Sequence, residues 1–276
     1  LPHDKPLVIE DKEGVTGPPP NRYYKTPHGL LPQLHLFISE MLKKGYIQPS
    51  TSEYCSPVVI IKKPNGNGYR FVVDLRQLNA RTKPFQYHLP EPEDCVDKLK
   101  GAKWLSVIDI EKAFWNLALH KNSRHKTAFK CVFGTFEYCV APMGLLTSAA
   151  WWQRFIEQKL SRHGILHRLV HPDMEPIKDS YTDSDGNKCV GMVCVYLDDI
   201  VIFSQSAEQH MKDIEKVFRV LSQENLYLAP EKSNLFCEYI QYLGVWVGQG
   251  KVYMSADKVR AILKMPLPNQ SQTQIR

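Results

Sequence analysis

The sequence predicts an α+β protein built on antiparallel strands, not a doubly wound parallel sheet. Three observations carry that reading. Met192–Leu197 and Ile200–Phe203 are short apolar runs joined across Asp198-Asp199. Two further pairs of strand-like runs are joined by short loops containing glycine. Between these hairpins lie segments whose apolar residues recur at helical spacing.

Residues 1–30 are rich in Pro and Gly, with Gly17-Pro18-Pro19-Pro20, and read as an extended arm. Leu31, Leu34, Phe37, Ile38, Met41 and Leu42 mark one face of a helix that Gly45 stops. Ser56–Lys63 and Tyr69–Asp74 read as two strands joined by the loop Pro64–Gly68. Trp104–Ile110 is an apolar strand interrupted by Ser106 and ended by Asp109. Ala128–Phe133 and Phe136–Val140 form a second hairpin across Gly134-Thr135. A helix starts near Ser148 and carries Trp151, Trp152, Phe155, Ile156 and Leu160. Residues 164–188 turn polar and irregular, as an inserted loop would. A helix over Ala207–Leu221, a strand over Tyr239–Val247 and a last helix over Ala256–Lys264 capped by Ser255 complete the chain.

The 276 residues suffice for a large domain or for subdomains sharing a core. Hydrophobic residues make up 43% and charged residues 23%, a globular balance that argues against disorder. The formal charge of +6 is compatible with a polyanionic partner. No apolar run has the ~18 residues of a membrane span, and the start does not resemble a signal peptide. Seven cysteines without a Cys-x-x-Cys read as free thiols of a reducing cytosol. Starting at Leu1 without a methionine, the chain reads as a processed product or a fragment.

Asp109, Asp198 and Asp199 stand out because each sits at the end of a strongly apolar strand. If those strands are neighbours, the carboxylates converge at one sheet edge, where they repel unless a cation neutralises them. Hard oxygen ligands with open positions suit Mg²⁺, which shares substrate phosphates. An Asp-Asp turn is also common as plain turn chemistry, so the surrounding motifs have to decide.

Tyr196-Leu197-Asp198-Asp199 resembles the signature turn of reverse transcriptases. Other motifs occur in the order of gypsy-type long-terminal-repeat retrotransposon polymerases, relatives of the retroviral enzymes. They are Ile47–Ser52 with Ser56-Pro57-Val58-Val59, Arg70–Asn79, His88-Leu89-Pro90 and Asp109–Phe114. Lys126–Phe129, Ala141–Leu145 and Tyr242-Leu243-Gly244 follow, and the resemblance runs from about Pro18 to Pro266.

The resemblance implies a right-hand polymerase fold: fingers over 31–85 and 120–147, palm over 86–119 and 148–247, and the truncated start of a thumb over 248–276. It implies that Asp109, Asp198 and Asp199, with the carbonyl of Ile110, bind two Mg²⁺ ions, Mn²⁺ being a substitute. Lys63 and Arg70 then hold the incoming triphosphate, and Phe114 excludes a ribose 2′-hydroxyl. Met143 lies against the incoming nucleotide. Arg76, Asn79 and Gly144 face the template side, and Tyr242-Leu243-Gly244 grips the primer. Lys232 resembles the lysine that protonates the leaving pyrophosphate.

Implied partners are RNA and DNA template–primers, deoxynucleoside triphosphates, a second copy in a dimer, and the ribonuclease H and integrase domains of a polyprotein. No membrane partner is implied, and the implied location is the cytoplasm or a virus-like particle. The rivals are a non-catalytic nucleic-acid-binding or scaffold descendant, against which all three carboxylates speak, and an RNA-templated RNA polymerase, against which Phe114 speaks.

Several positions depart from the family pattern. Ala113-Phe114 and Asn116 replace Gly-Tyr and Gln, Met143 replaces Phe or Gln, and Ser148-Ala149-Ala150 replaces Asn-Ala-Pro. The loop over about 164–190 is longer than the family leads one to expect. His163, His167 and His171 precede or enter it at helical spacing, a solvated or RNA-facing edge more than a zinc site. The basic run His120–Lys126 reads as a solvated face or a template-backbone contact.

Overall fold

The computed structural model describes residues 5–20, 23–63, 66, 68–166, 181–182, 188–189, 193–254, 259–260 and 263–264. In chain order the first elements are α1 (Leu31–Lys43), β1 (Ile47–Pro49), β2 (Ser56–Lys62), β3 (Tyr69–Val73), α2 (Arg76–Arg81), α3 (Pro92–Lys98) and β4 (Trp104–Asp109). Then come α4 (Lys121–Arg124), β5 (Phe129–Cys131), β6 (Gly134–Tyr138), α5 (Ser148–Arg162), β7 (Tyr181–Thr182) and β8 (Lys188–Cys189). The last are β9 (Val193–Tyr196), β10 (Asp199–Ser204), α6 (Ala207–Gln223), β11 (Asn234–Cys237), β12 (Tyr239–Tyr242), β13 (Val245–Gly248) and β14 (Lys251–Met254). Two compact units result, Leu1–Leu89 with Ile110–Lys159 and Pro90–Asp109 with Leu160–Arg276.

The first unit is organised by a five-stranded sheet in the order β1-β6-β5-β2-β3. Its pairings are antiparallel except β2 with β5, where Ser56 and Phe129 are parallel partners. Nothing in the sequence signals that parallel join. It arises because β5 returns to β2 only after a long excursion, and a hairpin cannot make that connection. Phe129 is fully buried and meets the rings of Phe71, Phe136 and Tyr138. α1 stops as its sequence predicts: Gly45 has φ +68°, and Tyr46 N–H and Gly45 N–H bond back to Met41 and Leu42 carbonyls.

The second hairpin is shifted from its predicted place. Gly134 is a strand residue paired with Cys131, so the turn is Val132-Phe133. The N-terminal segment, expected to be an arm, is anchored near its start. Leu7 and Ile9 are buried, and the Lys126 ammonium donates to the Ile9 carbonyl and Asp11 at 2.8 Å.

The second unit carries the antiparallel sheet β11-β4-β10-β9. β4 and β10 are almost wholly apolar because both faces are covered. Leu105, Val201 and Cys194 pack with α3, β12 and β13 around Leu99, Ile240 and Val247. On the other face Ser106 and Ser204 bond to His210 of α6. α6 starts at Ser206, whose hydroxyl accepts from Gln209 N–H at 3.2 Å.

Tyr239–Val247, predicted as one strand, is a hairpin: Tyr242 pairs with Val245 across Leu243 (φ +48°) and Gly244 (φ +78°). Both central residues are left-handed, the geometry that two-residue hairpins favour. β14, within the region predicted as the start of a thumb, pairs with β13 as the third strand of this sheet. β7 and β8 pair inside the stretch predicted to be loop. His167 and His171 lie outside the described residues, as does most of the predicted 256–264 helix, of which Val259, Arg260 and Leu263 are helical.

Gly248 is required by contact. A Cβ there would stand 2.2 Å from Tyr239 Cδ1 and 2.5 Å from the Glu238 carbonyl oxygen. The ring is exposed enough to swing away, but the backbone oxygen is not. Gly248→Ala is expected to destabilise the protein by about 1–3 kcal/mol, read as a lower urea midpoint with an unchanged slope.

Candidate active site

The strand register brings the acidic residues together. Asp109, the last residue of β4, is the cross-strand partner of Asp199, the first residue of β10. Pleat alternation puts both on the face shared with Leu105, Val107, Val201 and Phe203. Asp198 directly precedes Asp199, in the turn that leads into β10. That turn is Leu197-Asp198, since Asp199 pairs with Tyr196, and not the Asp198-Asp199 turn that the sequence suggests. Leu197 adopts φ +51°, a left-handed conformation that a leucine holds only under strain.

Lys232 enters from the helical turn Pro230–Lys232, 123 residues after Asp109. Its ammonium donates to both Asp109 oxygens, at 3.1 and 3.3 Å. The backbone of Asp109 is held too: its N–H donates to Ser233 Oγ at 3.3 Å and its carbonyl accepts from Ala229 N–H at 2.9 Å. The segment 229–233 therefore fixes the end of β4.

Like charges facing each other across a sheet are destabilising. Burial, then the charges of Asp109 and Asp199, raise the Asp198 carboxyl above its ordinary range, and the Lys232 cation only partly offsets them. Burial and Asp109 raise Asp199 in the same way, again opposed by Lys232. Asp198 Oδ1 is buried without a hydrogen-bond partner among the described residues. A buried carboxylate oxygen with no donor is an acceptor in want of a cation.

Among the described residues no three His, Cys, Asp or Glu side chains close into a ready metal cage. The donor set still fits Mg²⁺. That ion binds through one or two carboxylates, keeps waters and completes its shell with substrate phosphates. Asp109, Asp198 and Asp199 would hold it, and Ile110 follows Asp109 directly in the chain.

The remaining predicted site residues fall in two places. Tyr242, Leu243 and Gly244 are in the second unit, where Tyr242 is core: it is 2% exposed, with its hydroxyl 3.8 Å from Cys194 Sγ. Only Leu243-Gly244 forms the turn. In the first unit Lys63 and Arg70 are exposed on the β2–β3 hairpin. Neither side chain has an ion pair or hydrogen bond among the described residues, so both charges are free for a ligand. Phe114 lies half-buried in the turn Ala113–Asn116, after Lys112 at φ +51°. Arg76 forks onto Asp74 at 2.8 and 2.6 Å. Met143 is 59% exposed beside Gly144, whose carbonyl accepts from Asn79.

Sequence reasoning missed Ser233 and the buried polar chain around His210. The one available signal was Ser106, a hydroxyl in an otherwise apolar strand, which demands a partner once buried. It also missed the stack in which the Arg154 guanidinium lies 5.7 and 5.6 Å from the Phe85 and Trp151 rings.

The family described as reverse transcriptase (RNA-dependent DNA polymerase) matches residues 61–247. The chain belongs to that family, whose members use divalent metal ions. It is 32% identical over 250 residues to the retrovirus-related Pol polyprotein from transposon opus of Drosophila melanogaster, covering 89% of this chain and 22% of that one. The corresponding polyprotein from transposon gypsy of the same organism is 28% identical over 255 residues, covering 90% and 22%. The expected gypsy-type resemblance is thereby borne out. The chain spans about a fifth of the length of these curated relatives.

Among solved structures, a foamy viral protease–reverse transcriptase in complex with RNA/DNA hybrid matches at TM-score 0.71 and 23% identity, covering 95% of this chain and 33% of that one. The same type of protein in complex with double-stranded DNA matches at TM-score 0.73 and 23% identity, covering 96% and 50%. The fold is that α+β polymerase fold.

Proposed function

We propose that the chain is an RNA-directed DNA polymerase that extends a primer on RNA or DNA by phosphoryl transfer. The observation that carries this is the pairing of Asp109 with Asp199 at the strand ends, with Asp198 Oδ1 buried and unpartnered beside them. When bound there, two Mg²⁺ ions, or Mn²⁺ in their place, would activate the primer 3′-hydroxyl and neutralise charge on the leaving pyrophosphate.

The chain's own residues supply the rest. Asp109, Asp198 and Asp199 offer carboxylate oxygens, with the Ile110 carbonyl as a further ligand. Lys63 and Arg70 neutralise the triphosphate, where a guanidinium fork and an ammonium are the usual partners. Phe114 occupies the space a ribose 2′-hydroxyl needs, and Met143 abuts the incoming nucleotide. Arg76 and Gly144 lie on the template side, and Leu243-Gly244 supports the primer. The proposed setting is a cytoplasmic polyprotein or virus-like particle, with ribonuclease H, integrase and a second copy as partners. The six free cysteines among the described residues accord with a reducing compartment.

Lys232 is proposed to hold Asp109 until substrate arrives and then to donate a proton to pyrophosphate. Lys232→Met is expected to slow incorporation by about 10²-fold. Lys232 favours the ionised forms of Asp198 and Asp199, so its loss raises them further. The acid limb of the pH–rate profile should then move to higher pH.

The function is tested by extending a DNA primer on an RNA template with deoxynucleotides and Mg²⁺, alongside EDTA and ribonucleotide controls. Extension with deoxynucleotides that EDTA abolishes supports the reading. Binding of primer–template without extension in any divalent cation would replace catalysis with a binding role. Equal use of ribonucleotides would remove Phe114 from its role.

A further inference from the structure

The segment Pro142–Leu146 has no regular secondary structure, yet it presents Met143 and Leu146, 59% and 46% exposed, on either side of Gly144. Gly144 has φ +84°, and a Cβ built there would meet nothing within 4 Å, so its outer side is open to a ligand. One side chain grips this loop at two points. The Asn79 amide donates through Nδ2 to the Gly144 carbonyl at 2.7 Å, and its Oδ1 accepts from Leu146 N–H at 2.8 Å. Such a bidentate amide replaces the backbone ladder that the loop lacks.

The platform carrying Asn79 is itself fixed. Leu78 is 1% exposed. Lys12 Nζ donates to the Ala80 carbonyl at 2.8 Å, and Arg81 donates to the Thr16 carbonyl at 3.1 Å and to that of Gly17. The loop's far end is tied by Ser148 Oγ, which donates to the Pro142 carbonyl at 3.2 Å.

We infer that Asn79 is a positioning residue for the nucleotide-binding loop, setting Met143 and Gly144, and is not a template contact. This rests on the polymerase reading above. Its amide oxygen and one N–H both engage the loop, and this favours a positioning role over the template-side role expected from the sequence. The consequence is specificity: with the clamp gone, Met143 no longer sits at one distance from the incoming base and sugar.

Two measurements on Asn79→Ala and Asn79→Asp test this beside the wild type. The first is amide hydrogen exchange, which needs no activity. Protection at Leu146 is expected to fall in Asn79→Ala and to persist in part in Asn79→Asp, which keeps the acceptor. The second is single-nucleotide incorporation. KM for the deoxynucleotide is expected to rise about tenfold in Asn79→Ala, kcat to change far less, and discrimination against ribonucleotides to fall, with the Kd for primer–template unchanged.

Unchanged exchange at Leu146 overturns the clamp. Weaker primer–template binding at constant KM overturns it in favour of a template contact. A fall in kcat that follows a lowered melting temperature overturns it in favour of a purely structural role. A wild type that does not incorporate nucleotides refutes the polymerase reading and the inferred specificity role with it, while exchange separately decides whether the clamp exists.

Discussion

Asp198→Asn is expected to lower nucleotide incorporation at least roughly a thousandfold while leaving the protein as stable as the wild type or more so. The two halves of this expectation come from the same geometry. Asp109 and Asp199 face each other across the β4–β10 register, and Asp198 adds a third carboxylate with a buried, unpartnered oxygen. Burial and the charge of Asp109 hold Asp198 and Asp199 above the ordinary carboxylate range, with Asp199 adding to the shift of Asp198. A carboxyl whose folded-state pKa is raised contributes stability that is fully present below the unfolded value. That stability is lost as pH rises through the folded one. At neutral pH the ionised site therefore works against folding, and the Asp198→Asn substitution removes one charge from it. A calorimetric scan and a single-turnover assay on the same preparation read both halves. Lost activity with a markedly lower melting temperature would instead make Asp198 a structural residue.

The second large effect concerns His210, which is fully buried against β4 and β10. Its surroundings fix the direction of every hydrogen bond. The Asp213 carboxylate can only accept, so the Ser204 hydroxyl donates to it at 2.6 Å. Ser204 Oγ must then accept from His210 Nδ1–H at 2.9 Å. Nε2 is left as an acceptor for the Ser106 hydroxyl at 2.8 Å, and Ser106 Oγ accepts Phe236 N–H at 3.0 Å. This tautomer is assigned from the network. A proton on Nε2 would strand the Ser106 hydrogen in the core.

Burial accordingly lowers His210 from 6.5 to about 4. The unfolded chain binds this proton and the folded one does not, so stability falls as pH drops from about 6.5 to about 4. The loss from this group is about 3 kcal/mol. The raised aspartates act in the opposite direction over acid pH, so the effect is read as a difference between variants. His210→Gln keeps a donor and an acceptor without titrating, and its stability should decline less on acidification. His210→Leu leaves Ser106 and Ser204 unsatisfied and is expected to cost about 2–4 kcal/mol at neutral pH. Identical acid sensitivity of wild type and His210→Gln would contradict this account.

Much of this site was legible in the sequence. Asp109 and Asp199 end apolar strands, and such strands are continuous because both faces are buried, so the carboxylates could be placed at one sheet edge. Gly45 reads as a helix stop because only its left-handed φ allows the terminal bonds it makes. Other features resist reading for physical reasons. Leucine is a poor turn former, so the strained Leu197 hid the true position of the turn by one residue. Leu243 hid the β12–β13 hairpin in the same way, since its turn lacks the Asn or Asp that usually signals one. β11 is masked by its bulge, where Phe236 has φ +56°. The bond from Lys232 to Asp109 spans 123 residues, and only the folded chain brings the two together.

Whether Asp109, Asp198 and Asp199 together hold the divalent cations of the reaction is decided by a Mn²⁺ titration. The protein is titrated with primer–template and a non-reactive deoxynucleotide analogue present, and free ion is counted by electron paramagnetic resonance. Two bound ions are expected for the wild type, and the loss of at least one in Asp109→Asn and in Asp198→Asn. Equal Mn²⁺ binding by wild type and both variants would show that these carboxylates are not the ligands.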